Sequence, residues 1–222
     1  MAEKSEDDLL FREIDEELRQ EQWQKLWQAY GNYAIAAVVA LVLGVAGYQG
    51  WRAWDVSTSQ AEGRRFTQAL ALVAGDQADE ALKAFTSIAA DSRAGYQLLA
   101  RFQEARLLAR RGDAAGAAAA YRAVAEDGGV DSLYRDLAAI LGALQALNTA
   151  GADLEALKRR IEPLAADGAP FRWSAREVLA LAAEQSGDQA GARKRFTELA
   201  AAAGAPQGVR ARAQEMLSIL GQ

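Results

Sequence analysis

The sequence predicts an all-α protein, a single transmembrane helix followed by a solenoid of helical hairpins. Three observations predict it. No charged residue occurs from Leu26 to Trp51, a stretch long enough to cross a bilayer. Gly turns then recur at anchors 76, 112, 151 and 187, spaced 36 to 39 residues apart. The alanine-rich chain of 222 residues contains only three prolines, Pro163, Pro170 and Pro206, so long helices go uninterrupted.

The span is read from Tyr30 to Trp51, YGNYAIAAVVALVLGVAGYQGW. At a helical rise of ~1.5 Å per residue this covers about 33 Å, enough for a hydrocarbon core of about 30 Å. Aromatic rings favour the headgroup level, and Trp23, Trp27 and Tyr30 stand at one end with Trp51 and Trp54 at the other. No polar stripe runs along the segment, which argues against a buried core helix. A net-acidic stretch, residues 1–29, precedes it in place of the short basic region of a cleaved signal peptide. Three bases flank each side within about 20 residues, so charge alone does not orient the span. Ala36, Ala40 and Gly44 repeat every fourth position and form a candidate helix-packing face.

Residues 1–29 form an acidic lead-in. Residues 1–30 hold nine acids and four bases, which accounts for the whole net charge of −5; residues 31–222 balance at 21 of each. Leu10, Ile14 and Leu18 share a helical face, so an amphipathic helix is expected to run into the span. Neither part carries the basic field of a nucleic-acid binder.

Residues 52–222 read as the repeat domain. From each turn the offsets +5, +9 and +12 give a small residue, an aromatic and an aliphatic: Ala81, Phe85 and Ile88; Ala117, Tyr121 and Val124; Ala192, Phe196 and Leu199. These offsets share one helical face, where the small residue lets an antiparallel helix approach and the aromatic fills the gap. From Gly151 the same count reaches Ala156, Arg160 and Pro163, so the third unit reads as degenerate. Apolar-periodic helices precede the turns at 96–111, 133–147 and 171–183. A helix–turn–helix unit cannot bury its apolar face alone and stacks on its neighbours, here into a right-handed array.

This spacing resembles the tetratricopeptide repeat, although the usual Trp and Leu of its first helix are missing. The order of parts is more specific. A span ending Gly-Tyr-Gln-Gly-Trp-Arg-Ala-Trp at 47–54, a polar helix, then repeats with Gly-Asp-Gln-Ala-Gly-Ala-Arg at 187–193 resembles the ancillary subunits of the bacterial Sec translocon. The resemblance covers roughly residues 30–220 and leaves out the acidic tail. It implies a single-pass inner-membrane protein with a cytoplasmic N-terminus and a periplasmic repeat domain. It further implies partners: Sec translocon subunits and a membrane-anchored periplasmic chaperone, with the chain helping newly translocated proteins reach periplasmic folding factors. An envelope-assembly or cell-division scaffold built on the same repeat is the alternative.

No His and no Cys occur, which removes imidazole bases, thiolate nucleophiles, zinc sites and disulfides. A chain without Cys also suits an oxidising compartment. No phosphate loop, dinucleotide fingerprint or calcium loop is present. The chain is therefore expected to be non-enzymatic, with no catalytic residues, cofactor, metal, nucleic acid or small-molecule substrate. Glu126-Asp127 reads as a solvated loop pair, and Gly128-Gly129 as a turn. The clusters Arg64-Arg65, Arg110-Arg111, Arg159-Arg160 and Arg193 to Arg195 read as helix-end charges. Trp173, the one Trp outside the membrane region, is expected in the core between the third and fourth units or as a groove anchor.

Overall fold

In the computed structural model the backbone is described for residues 3–221, with side chains for 27–33 and 35–221. All regular elements among the described residues are helical. They are α1 (Glu3–Ala74), α2 (Ala78–Asp91), α3 (Ala94–Arg110), α4 (Ala114–Ala125), α5 (Ser132–Leu147), α6 (Leu154–Ile161), α7 (Arg172–Gln185), α8 (Gln189–Ala201) and α9 (Gln207–Leu220), with a 3-10 turn at Glu162–Ala165. The acidic lead-in, the apolar stretch and the polar helix after it are one helix, α1. The side chains of Leu10, Ile14, Leu18 and Trp23 lie outside the described residues.

The chain divides into two compact units between Gln60 and Ala61. In the first, α1 is long and apolar enough to cross a membrane. Val38, Leu41, Val42 and Leu43 are all more than half exposed there, which costs free energy in water and none in lipid.

The second unit is a run of hairpins with four successive apolar clusters. Phe66 and Ala69 at the end of α1 join Ala81, Phe85 and Ile88 of α2 and Ala100 and Leu107 of α3. Ala105 of α3 then meets Tyr121 and Val124 of α4 and Ala138 of α5. Ile140 and Ala143 of α5 meet Leu157 and Ile161 of α6 and Val178 and Leu179 of α7. Ala180 and Ala183 of α7 meet Phe196 and Leu199 of α8 and Val209 and Ala213 of α9. Helices α3, α5 and α7 thus each serve two clusters on two faces, while α2, α4, α6 and α8 each serve one. Such bifacial helices carry the core from unit to unit, as a solenoid requires. Helix α9 buries Val209 and Ala213 against α7 and α8 and turns Arg212, Glu215, Ser218 and Ile219 to solvent.

The turns explain the period. Backbone φ is positive at Asp76 (58°), Gly112 (82°), Gly151 (74°) and Gly187 (82°), the left-handed conformation that reverses a helix end. After Gly112 the Asp113 N–H donates to Leu108 O at 3.0 Å, and after Gly187 the Asp188 N–H donates to Ala183 O at 3.0 Å. Asp113 and Asp188 then cap the next helix through Gly116 N and Gly191 N. The first turn departs from this plan twice. A non-glycine residue, Asp76, takes the left-handed position, and Gln77 at the N-cap makes no side-chain capping bond.

The third unit corrects the sequence reading. The capping residue there is Asp153, whose side chain accepts from Ala156 N, and it stands two positions after Gly151 instead of one. Counting from the cap instead of the glycine moves every core position along by one. Leu157 and Ile161 are the buried residues of α6 and Leu164 packs against their cluster, while Arg160 is exposed. The unit is shifted in register, so Arg160 and Pro163 were never at core positions.

Candidate interaction surfaces

The residues at the repeat offsets lie in the interior. Ala81, Phe85, Ala117 and Ala192 are fully buried, Phe196 is 1% exposed and Tyr121 5% exposed. Phe66 meets Phe85 edge-on at 5.4 Å, and Phe102 meets Tyr121 at 5.9 Å. Burial pushes the Tyr121 hydroxyl pKa up, partly offset by the charge of Arg106. None of these side chains is available to a partner, so the core positions build the scaffold.

Trp27, Tyr30, Trp51 and Trp54 on α1 are each more than 60% exposed. Ala36, Ala40 and Gly44 are exposed as well, and a Cβ built on Gly44 meets no atom within 4 Å. This face is open to a neighbouring helix or to lipid.

Some of the charged side chains read as helix-end or loop groups also tie helices together. Arg101 of α3 donates to Ala123 O in the last turn of α4 at 2.9 Å and to Asp127, just beyond its end, at 2.7 Å. Arg160 reaches Glu126 at 2.7 Å, and Arg111 reaches Asp79 at 2.7 Å. Glu126 and Asp127 are thus solvent-accessible, as read from the sequence, and each also carries an ion pair to another helix. The Arg101 hydrogen bond, then the Gly129 N–H, hold the Asp127 carboxyl below the ordinary range. Arg212 of α9 grips Glu177 of α7 with two hydrogen bonds of 2.5 and 2.8 Å, which raises the guanidinium pKa further. Glu62, buried in α1, accepts from the Arg93 N–H at 3.0 Å and so fixes the start of α3.

Depressions among the described residues include the following two. A groove of about 390 Å³ runs between α4, α5 and α6, floored by Ala118, Ala138, Ala139, Gly142, Ala143 and Ala146. Gly142 lets α5 lie close on α4, since a Cβ there would stand 3.1 Å from Tyr121 Cβ. The second is a cleft of about 530 Å³ between the 3-10 turn, α7 and α8. Trp173 lines it while also packing against the last apolar cluster, so the ring belongs to the core and to the surface at once. The guanidinia of Arg172 and Arg176 lie over that ring at 4.8 and 5.0 Å. The sequence signal for this cleft was Pro163, which stops a helix at the residue before it. Among the described residues, no group of acids is arranged to hold a metal ion.

No curated protein and no solved structure matches the chain. The family described as a tetratricopeptide repeat-like domain matches residues 24–217. Repeats of this kind are typically non-catalytic modules for protein–protein interaction. With α2 to α9 stacked as successive hairpins and the match spanning most of the sequence, the chain belongs to the tetratricopeptide repeat-like domain family.

Proposed function

We propose that the chain is a membrane-anchored protein-interaction module, ancillary to the Sec translocon, that helps pass newly translocated proteins to periplasmic chaperones. Its parts are an acidic segment 1–29, a span 30–51 and a repeat domain 52–222. Its N-terminus is cytoplasmic and its repeats are periplasmic. Trp23, Trp27, Tyr30, Trp51 and Trp54 anchor the span at the two interfaces, and Ala36, Ala40 and Gly44 pack it against a translocon helix. Translocon subunits and a membrane-anchored chaperone are the partners, and the hairpin surfaces hold them.

One observation carries this reading. A single helix apolar enough to cross a membrane precedes tetratricopeptide-like hairpins, and the element Gly-Tyr-Gln-Gly-Trp-Arg-Ala-Trp closes its apolar stretch. A repeat array whose repeat-offset aromatics Phe85, Tyr121 and Phe196 are buried leaves its surface for its work, which suits binding other proteins.

The test is co-purification of the full chain, extracted in mild detergent, with quantification of translocon subunits and envelope proteins. Enrichment of translocon subunits supports the proposal. Enrichment of cell-wall or division proteins in their place would overturn it and favour an envelope scaffold. A reporter active only in the cytoplasm, fused after Gln222, is expected to stay silent, and its activity would refute the periplasmic assignment.

A further inference from the structure

We draw no further inference here: the strongest candidate, the alanine-floored groove between α4, α5 and α6, has Asp153 to balance Arg122 and Glu126 paired with Arg160, and nothing in the structure shows what covers it.

Discussion

In the second and fourth hairpins, α3/α4 and α7/α8, the turn glycine is followed at once by the aspartate that caps the next helix. In the third, α5/α6, Ala152 intervenes between Gly151 and Asp153. That insertion moves the buried positions of α6 from a small-and-aromatic pair to Leu157 and Ile161, and Pro163 then ends the helix early. The comparison teaches that the helix cap, and not the glycine, sets the packing register. A cap fixes where the first turn begins, and the 3.6-residue period places every later contact from there.

The largest expected effect tests this register directly. Phe196→Ala empties a fully enclosed site and is expected to cost about 3–5 kcal/mol; Ile161→Ala is expected to cost about 2–5 kcal/mol. Arg160→Ala removes an exposed ion pair with Glu126 and is expected to cost at most about 1 kcal/mol. Urea melts of the three variants compare them. If Arg160→Ala cost more than Ile161→Ala, the register counted from Asp153 would be wrong.

Next in size are the caps. Asp153→Ala and Asp188→Ala each leave a first-turn N–H without its acceptor and are each expected to cost about 1 kcal/mol in the same melts. Equal losses would show that the third hairpin is shifted yet capped as well as the fourth. A silent Asp153→Ala would break the comparison.

A stabilising change belongs to the first hairpin. Asp76 sits at φ 58° where the other turns have glycine, so Asp76→Gly is expected to raise stability by about 0.5–1 kcal/mol. A lower melting temperature in that variant would mean that the Asp76 side chain contributes more than its backbone strain costs.

The smallest effect depends on pH. Asp127 has a lowered pKa in the folded state, so its contribution is complete above the ordinary aspartate range near ~3.9 and is lost as pH falls through the lower folded value. Arg101→Leu is expected to remove that part of the acid dependence in melts taken across the acid range. An unchanged acid slope would show that the Arg101 bridge is not its source.

Much of this was legible before the structure. Period 3.6 in Ala, Phe and Leu, the absence of strand-like alternation and one uncharged stretch give the all-helical class, because burial periodicity and bilayer thickness leave direct marks on sequence. The bifacial helices were less legible. In α3, Ala100 and Leu107 face one cluster and Ala105 another, so no single apolar stripe marks the buried positions of that helix. The third register was hidden because a glycine is easier to see than a cap two residues later. The cleft was hidden because Pro163 marks where a helix ends, and the space left behind depends on α8, which is distant in sequence.

The central claim is that the repeat surface of a membrane-anchored chain works on proteins at the translocon. Photo-cross-linking in living cells, from a photoreactive residue placed at Ala166 beside the Trp173 cleft, tests it most directly. The account predicts capture of translocon subunits together with chains in the course of export. Capture of cell-wall or division proteins alone, with no translocon subunit and no exported chain, would contradict it.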